Sequence, residues 1–244
     1  MDEQLKHLSK VIVTQLGSRR LYAVPLALQN RNMLEHFYTD IYFKTGAIRN
    51  TPAFLPGLIN AMKSRNEPGL HDELVTAFLF FGLTYTRRGK QEKTITTLAE
   101  HWRKGGEEFC NLVTQRGFRE ANAVYAYSSA ALETFKKAKE KGIQCILDHA
   151  TAPMRQEKDL VDSHRDDFSE WFVAEADGPA IDKYTERQQQ EADLADVILC
   201  GSTFIKNMLI ESGVDASKIS VVPLGISGNP EFTYKRDNKS ELHI

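Results

Sequence analysis

Short apolar runs alternate with longer amphipathic stretches along most of this chain. Runs of this kind occupy residues 11–15, 123–127, 144–148, 196–200 and 219–224. A short apolar run bounded by polar or glycine residues is typical of a strand buried on both faces. The stretches between the runs place apolar residues at helical spacing. This alternation predicts an α/β fold, namely a doubly wound, mostly parallel sheet of the Rossmann-like type.

The most regular unit lies at 191–225. Its first apolar run, 196–200, ends at a Gly-Ser pair, and Ser202 is a candidate N-cap for the helix that follows. That helix carries apolar residues on one face and stops at Gly213, a residue type common at helix C-termini. A second run, 219–224, completes a strand-helix-strand unit, and such units build parallel sheets.

The other predicted elements are less regular. We expect a long helix from about residue 21, with Pro25 in its first turn, where proline is tolerated, and a weak second strand at 40–43. Apolar spacing predicts two consecutive helices, 70–88 and 92–116, which lie over the sheet as an insertion. Further helices are predicted, in chain order, at 129–141, 154–175 and 181–195.

Composition and charge narrow the classes of function. The 244 residues are 41% hydrophobic, enough for a substantial core, and the formal net charge is −2. A nucleic-acid-binding domain would carry a basic excess, so we expect no nucleic-acid partner. The three cysteines have no metal-ligand spacing, and Cys145 and Cys200 lie in predicted strands as small apolar side chains. A reducing compartment is the simplest context.

No stretch of the sequence is apolar for long enough to cross a membrane. The longest apolar stretch, 74–83, is shorter than the roughly 20 residues that a bilayer requires, and the first ten residues are polar. We therefore expect a soluble, cytoplasmic protein. The segment 74–85 is followed by Arg87, Arg88 and Lys90, which leaves two interpretations open. One is a core helix with a solvated basic end, and the other is a peripheral contact with an anionic membrane.

The unit at 191–225 also carries a family resemblance. It has, in order, a glutamate, an Ala-Asp pair with apolar residues after it, a serine, a Gly-Val pair, a Lys-Ile pair and a Pro-x-Gly turn. The matching positions are Glu191, Ala192, Ala195, Asp196, Val197, Ile198, Ser202, Gly213, Val214, Lys218, Ile219, Val221, Val222, Pro223 and Gly225. This order resembles the signature of glycosyltransferase family 4, in which the segment closes the N-terminal domain of a two-domain GT-B enzyme.

The resemblance implies a division of labour between two domains. Residues 1–226 would form the acceptor-side, Rossmann-like domain, and 227–244 would be an interdomain linker. In the family a donor-binding domain follows, whereas this chain stops at Ile244, so we expect half of an enzyme that is inactive alone. The implied reaction is retaining transfer of a sugar from a nucleotide-sugar donor to a hydroxyl of a carbohydrate, lipid-linked or small-molecule acceptor. No metal or other cofactor is expected.

Candidate site residues come from the loops after the strands, because ligands bind at the carboxyl ends of the strands in a doubly wound sheet. Gly17 lets the backbone approach a ligand, and Ser18 keeps the loop small. Arg19 and Arg20 can pair with a phosphate. The family has a glycine-rich loop here, often Gly-Gly, and the Gly-Ser pair of this chain departs from it. The alternative is a solvated turn with surface arginines.

A second candidate group follows the predicted strand 144–148. The family places a histidine at the end of this strand, near the transferred sugar, and His149 fits that position. We predict a catalytic role for His149, in which its imidazole orients the sugar by a hydrogen bond. The alternative is a structural histidine that caps the next helix. Asp148 is a candidate substrate contact or a structural partner at the sheet rim, and Ser202 is a helix cap first and a candidate substrate contact second.

Other types of site are absent from the sequence. It has no Asp-x-Asp metal motif, no G-x-G-x-x-G after the first strand, no P-loop and no G-x-S-x-G elbow. Two alternatives remain open: a non-catalytic Rossmann-like binding or assembly module, and a different Rossmann-like enzyme such as a methyltransferase. A polar cleft lined by Gly17, His149 and Ser202 would favour the transferase, and a cleft filled by side chains would favour the module. The lack of a glycine-rich first turn with an acidic residue after the second strand counts against the methyltransferase.

Overall fold

A single parallel sheet forms the centre of the part of the chain that the structure describes. The computed structural model describes residues 9–50, 56–165 and 178–223, together with 167, 170 and 225. The strands in this part are β1 Val11–Gln15, β2 Leu34–Thr39, β3 Val75–Ala77, β4 Ala123–Tyr127, β5 Gln144–His149, β6 Val197–Cys200 and β7 Ile219–Val221. They lie in the order β3-β2-β1-β4-β5-β6-β7, and every neighbouring pair is parallel. The predicted doubly wound α/β fold is confirmed.

Helices connect the strands and cover the sheet. In the described residues they are α1 Ala23–Asn30, α2 Thr45–Arg49, α3 Pro56–Lys63, α4 Leu79–Gly89, α5 Ile95–Arg116, α6 Leu132–Lys139, α7 Met154–Ser163, α8 Pro179–Leu194 and α9 Thr203–Glu211. None of them is long and apolar enough to cross a membrane.

The core lies on both faces of the sheet because side chains alternate along each strand. On one face, Ile12, Val124 and Leu147 pack with apolar residues of α5, α6, α8 and α9. On the other face, Val13 and Tyr125 pack with apolar residues of α1 and of the loop after β2. Burial on both faces explains why the central strands have continuous apolar runs instead of an alternating pattern.

The second strand lies earlier in the chain than predicted. β2 covers Leu34–Thr39, so the prediction of a strand at 40–43 is wrong. The polar residue His36 interrupts the apolar pattern of β2, yet it is buried. Its ring Nε2 makes a hydrogen bond of 2.8 Å with the hydroxyl of Thr76 on the neighbouring strand, which compensates the loss of contact with water.

The predicted helix at 70–88 is wrong in its first half. Val75–Ala77 is strand β3, and α4 begins only at Leu79. The Phe78 N–H donates to the Thr39 carbonyl at 2.9 Å, so sheet bonding continues up to the residue that caps the helix. The helix predicted from residue 21 is also shorter than expected, since α1 has eight residues.

The strand-helix-strand unit near the end of the described chain is confirmed. The Ser202 hydroxyl accepts a hydrogen bond of 3.3 Å from the Ile205 N–H, so it is the N-cap of α9. Gly213, after the helix, has a φ of +91°, a left-handed conformation that favours glycine. The predicted domain boundary after residue 226 lies outside the described residues, as does most of 164–175 from the predicted helix 154–175.

Candidate functional site

A cavity opens at the point where the direction of chain winding reverses. Strand β1 pairs with β2 on one side and with β4 on the other, so the connections after β1 and β4 leave the sheet in opposite directions. A crevice forms at such a switch point, beyond the carboxyl ends of the strands. Here the cavity has a volume of about 800 Å³, and its wall includes the loops after β1, β2, β4 and β5. The volume is in the range of small-molecule sites.

The loop after β1 is held by hydrogen bonds to its backbone. Gly17 has a φ of +86°, and its N–H donates to the Asp40 carboxylate at 3.0 Å. The Gln15 amide donates to the Gly17 carbonyl at 2.9 Å. A side chain at position 17 would be strained by this backbone conformation. The hydrogen bonds thus fix the conformation of the loop, and Gly17 and Ser18 line the cavity. The sequence predicts that both residues contact the substrate.

Three consecutive residues after this loop adopt left-handed backbone conformations. The φ values are 49° at Arg20, 47° at Leu21 and 63° at Tyr22. Each costs roughly 1–2 kcal/mol in a residue other than glycine. Strain of this kind persists where surrounding contacts fix it, and buried Tyr22 packs edge-to-face against the ring of Phe37 at 5.8 Å. The turn gives the two neighbouring arginines different surroundings.

Arg20 is directed into the protein, whereas Arg19 remains on the cavity wall. The Nε and Nη2 atoms of Arg20 lie 2.8 and 2.9 Å from the two carboxylate oxygens of Asp148. Burial lowers the pKa of Arg20, but the hydrogen bond and the charge of Asp148 outweigh it and raise that pKa overall. The Tyr125 hydroxyl donates to the same carboxylate at 2.5 Å. Arg19 is exposed and lines the cavity.

Asp40 follows β2 directly. The sequence did not show this position, because the predicted second strand at 40–43 included Asp40. An acidic residue after the second strand of a Rossmann-like sheet is a feature of enzymes that bind a ribose. The Asp40 side chain is buried and already accepts hydrogen bonds from the Gly17 N–H and the Thr39 hydroxyl. It also lies 3.6 Å from Arg65. Its carboxylate therefore holds the loop after β1.

His149 lies at the same edge of the sheet as Gly17 but beneath the cavity wall. Its side chain is 1% exposed, whereas its neighbours Asp148 and Thr151 line the cavity. The ring Nδ1 donates to the Thr151 carbonyl at 2.7 Å, which leaves the Nε2 lone pair as an acceptor. Burial lowers the pKa of His149, so the imidazole is neutral near pH 7. This bond fixes the loop that follows β5.

Ser202, the last predicted contact, lies at the end of β6, two strands away from β4. Its hydroxyl caps α9, and the residue is not among those that line the cavity. The structure thus brings Gly17, Ser18, Arg19 and Asp148 to one cavity. His149 and Arg20 support that wall from behind, and the substrate roles predicted for all seven residues stay predictions.

Two charged residues of α8, for which the sequence predicts no role in the site, hold the turn after β4. The Glu191 carboxylate, with a side chain 0% exposed, accepts hydrogen bonds from the N–H groups of Ser129, Ala131 and Leu132 at 2.6, 3.0 and 3.2 Å. Burial raises the pKa of Glu191 to about 7, against the lowering effect of Arg187 and of these three donors. The sequence did contain a signal for the importance of Glu191, because this residue is the first of the family signature.

Arg187 completes this buried network. Its guanidinium makes two hydrogen bonds of 2.7 Å to the Glu133 carboxylate and one of 3.1 Å to the Ser129 carbonyl. It lies 3.4 Å from Glu191. Because Ser128, Ser129 and the residue after them line the cavity, the network determines the shape of the wall opposite the β1 loop.

Part of the cavity wall is apolar and comes from helices. This part includes Ile95 and Trp102 of α5, Met154 and Val161 of α7 and Ile181 of α8. The rings of Trp102 and Tyr184 lie 5.8 Å apart at an angle of 49°. The sequence pattern does not identify these residues as a common wall, because only the packing of three separate helices brings them to one space.

By hydrogen-bond geometry, two buried oxygen atoms beside the cavity have no partner among the described residues. They are the hydroxyls of Tyr127 and Ser128, at the end of β4, and both side chains line the cavity. A buried polar atom without a partner costs about 1–3 kcal/mol, and such atoms are rare in native proteins. Within the described ranges, no group of three or more histidine, cysteine, aspartate or glutamate side chains could hold a metal ion.

Comparison with known proteins gives no family assignment. No protein-family model matches the chain, and no curated protein is similar to it by sequence. Among solved structures, the chain is similar to UDP-GlcNAc 2-epimerase from Neisseria meningitidis bound to UDP-GlcNAc, with 11% identity, a TM-score of 0.41 and coverage of 87% of this chain and 45% of that one. It is also similar to TcCGT1 in complex with UDP, with 9% identity, a TM-score of 0.45 and coverage of 91% and 54%.

A third similar structure is UDP-GlcNAc 2-epimerase from Methanocaldococcus jannaschii, with 11% identity, a TM-score of 0.40 and coverage of 87% and 45%. The chain therefore spans about half the length of these structures. At such identities and TM-scores the likeness carries no functional argument.

Proposed function

We propose that this chain is the acceptor-side half of a retaining GT-B glycosyltransferase of family 4. A second domain, which would follow Ile244, supplies most of the contacts to a nucleotide-sugar donor. The acceptor hydroxyl lies in the cavity beyond β1, β4 and β5. Transfer then takes place between the two domains, with charge building up on the departing diphosphate. Catalysis of such a reaction depends on positioning the two substrates and on stabilising the charge of the leaving group.

The observation that supports this proposal most strongly is an open cavity of about 800 Å³ at the switch point of the sheet. It combines a glycine loop and an exposed arginine, which are groups that can hold a polar substrate. The order of the family signature in 191–225 connects this site to a transferase. A non-catalytic module is the alternative: the cavity is not filled by side chains, but of Gly17, His149 and Ser202, which were expected to line a transferase cleft, only Gly17 lines it.

The residues of the cavity take different roles in this proposal. Arg19 attracts an anionic group of the substrate, and the Gly17 loop forms the floor. Arg20 and Asp148 position that loop by their ion pair, and His149 positions Thr151 by the Nδ1 hydrogen bond. The catalytic role of His149 stays a prediction, and we propose a positioning role beside it because the side chain is buried beneath the wall. We expect His149→Ala to lower turnover by about 10²-fold, because misplacement of a wall by about 1 Å has costs of this size.

The test compares sugar transfer by the chain alone and by the same chain continued through a second domain. A panel of nucleotide sugars serves as donors, and the anomeric configuration of the product is read by NMR. We expect transfer with retained configuration only from the two-domain protein. Equal transfer by the chain alone would contradict the division into two halves. An inverted product would contradict the retaining reaction.

We also propose that α4 touches a membrane surface. Phe80 is 88% exposed and Leu83 is 59% exposed, on the helix whose last turn carries Arg87 and Arg88. Exposed apolar side chains beside cations suit a surface of anionic lipid. Sedimentation with vesicles that contain phosphatidylglycerol tests this contact, and binding that is equal to vesicles of neutral lipid would contradict it.

A further inference from the structure

Gln188, a residue of α8, has an amide group that is only half used within the described structure. The residue is 6% exposed and lines the cavity. Its Oε1 accepts a hydrogen bond of 3.0 Å from the Met154 N–H at the start of α7, and this donor identifies the oxygen end of the amide. Among the described residues, the Nε2 of Gln188 has no hydrogen-bond acceptor.

The free end of this amide is open to the cavity. Nε2 is not one of the fully enclosed polar atoms of the described structure, and Gln188 belongs to the cavity wall. A side chain as buried as this one usually has partners for its polar atoms. The Met154 N–H fixes the orientation of the amide, so Nε2 is a preoriented donor for an oxygen atom of a bound molecule.

Aromatic rings lie beside the amide. Tyr184 precedes Gln188 by one turn of α8, so the two side chains lie on the same face of the helix. The Trp102 ring of α5 is 5.8 Å from the Tyr184 ring, and both residues line the cavity. Met154, whose N–H holds the amide, packs in the same apolar cluster as both rings. The half-buried indole of Trp102 thus offers ring surface close to the Gln188 donor.

The charges of the wall favour a neutral ligand. Basic and acidic side chains are equal in number among the described residues that line the cavity. Three of the carboxylates already lie beside cations, namely Asp40 beside Arg65, Asp148 beside Arg20 and Asp162 beside Lys158. A charge that enters a partly buried site needs a counter-charge, and a balanced wall has no excess to provide one.

We propose that Trp102, Tyr184 and Gln188 form a binding site for a neutral pyranose ring. One face of such a ring consists of C–H bonds, which carry partial positive charge and pack on the negative face of an aromatic ring. Its rim carries hydroxyl oxygens, which accept hydrogen bonds. The sugar stacks on the indole of Trp102, and one hydroxyl accepts from the Nε2 of Gln188. This inference rests on the proposed function only in naming the sugar as the acceptor of the transfer.

The probes are the methyl glycosides of glucose, galactose and mannose. Cyclohexanol serves as a ring with a single hydroxyl, and methyl glucuronide as a charged analogue of methyl glucoside. Binding to the chain is followed by NMR of the nitrogen-labelled protein, in which the side-chain amide of Gln188 is identified by its loss in Gln188→Glu. We expect at least one glycoside to shift this resonance and to bind at least about fivefold more tightly than cyclohexanol, because the hydroxyl rim contributes hydrogen bonds.

Three results would overturn the ligand class. They are the absence of a shift with all three glycosides, cyclohexanol that binds as tightly as the best glycoside, and methyl glucuronide that binds more tightly than methyl glucoside. The last result would show that the site selects an anion.

Variants assign the two contacts. Gln188→Glu keeps an oxygen for the Met154 N–H but loses the Nε2 donor. At pH 8 we expect it to weaken the best glycoside about fivefold or more with an unchanged free energy of unfolding. Trp102→Leu keeps an apolar side chain without a ring and should weaken the glycoside similarly. Unchanged affinity in either variant would overturn the contact that it removes.

A matched control makes the same chemical change elsewhere. Gln91→Glu, at an exposed glutamine outside the cavity wall, should leave the affinity for the glycoside unchanged. Weakening in this variant equal to that of Gln188→Glu would overturn a specific role of the Gln188 amide, because added negative charge alone would explain the loss.

The pattern of results separates this inference from the proposed transferase. A glycoside that binds Gln188→Glu as tightly as the wild type would overturn the inference even if the two-domain protein transfers sugar. Conversely, the predicted affinities together with an absence of sugar transfer would uphold the sugar site and refute the transferase.

Discussion

Glu191 offers a direct test of how the cavity wall is built, through the pH dependence of stability. The carboxylate is fully buried and bonded to three N–H groups of the turn after β4. Glu191→Gln keeps the shape of the side chain but removes its titration. The amide also replaces one acceptor oxygen by a donor, which leaves an N–H of the turn without a partner. We therefore expect a lower free energy of unfolding at every pH.

The magnitude follows from the pKa. Burial raises the pKa of Glu191 in the folded protein to about 7, from the ordinary value of 4.5. A folded pKa above the unfolded one gives a contribution to stability that is complete below pH 4.5 and is lost as the pH rises through 7. Each pKa unit corresponds to about 1.4 kcal/mol, so the whole contribution is about 3.4 kcal/mol. About 2.5 kcal/mol of it falls between pH 5 and pH 8.

The assay is urea unfolding at pH 5 and at pH 8, for the wild type and for Glu191→Gln. Other groups titrate alike in both proteins and cancel in the difference between them. The stability advantage of the wild type is expected to be about 2.5 kcal/mol larger at pH 5 than at pH 8. The control is Glu186→Gln, at an exposed glutamate of the same helix. In this variant the difference in the free energy of unfolding between pH 5 and pH 8 should equal that of the wild type.

Two results would refute this reasoning. Parallel pH curves for the wild type and Glu191→Gln would mean that the carboxyl does not change its charge in this range. An advantage that grows with rising pH would mean that Arg187 and the three N–H donors outweigh burial, so that the carboxylate is charged throughout.

Three further substitutions test other parts of the account. Asp148→Asn should lower the free energy of unfolding by about 3 kcal/mol in urea titrations, because it leaves the largely buried Arg20 without its anion; an effect below about 1 kcal/mol would place this pair among weak surface pairs. Gly106→Ala should be strongly destabilising in thermal unfolding, because a methyl group there overlaps the carbonyl of the turn after β4. Gly46→Ala meets no atom of the described residues within 4 Å and should be neutral or stabilising. Phe80→Ser should reduce sedimentation with anionic vesicles without lowering stability, since the side chain is 88% exposed; unchanged sedimentation would remove α4 from the proposed contact.

The strands could be predicted wherever burial on both faces left an apolar run. β1 and β4 lie at the predicted residues, and β5 is one residue longer than predicted. β2 could not be found in this way, because buried His36 depends on a partner in β3 that is forty residues away. The sequence predicted the sheet edge at which the cavity lies, because ligands bind at the carboxyl ends of the strands. The switch point itself could be located only from the strand order of the structure.

The roles of neighbouring residues could not be predicted, because they depend on which way each side chain points. Asp148 and His149 are adjacent in β5, so the pleat directs them to opposite faces, and only one reaches the cavity wall. Arg19 and Arg20 are also adjacent, and the left-handed turn that begins at Arg20 could not be predicted from the sequence.

The apolar part of the cavity wall could not be predicted for a related reason. Trp102, Met154 and Ile181 belong to three helices that are far apart in the sequence. Only their packing around a common space distinguishes them from ordinary core.

The central claim is that the cavity holds the acceptor in a transferase with two domains. Thr151, an exposed residue on the cavity wall, allows the space to be filled without altering the carbonyl that His149 contacts. The decisive measurement is the rate of sugar transfer by the two-domain protein with Thr151→Trp, at saturating nucleotide sugar. We predict a loss of at least about 10²-fold in kcat/KM for the acceptor with unchanged stability; transfer at the wild-type rate would contradict the claim.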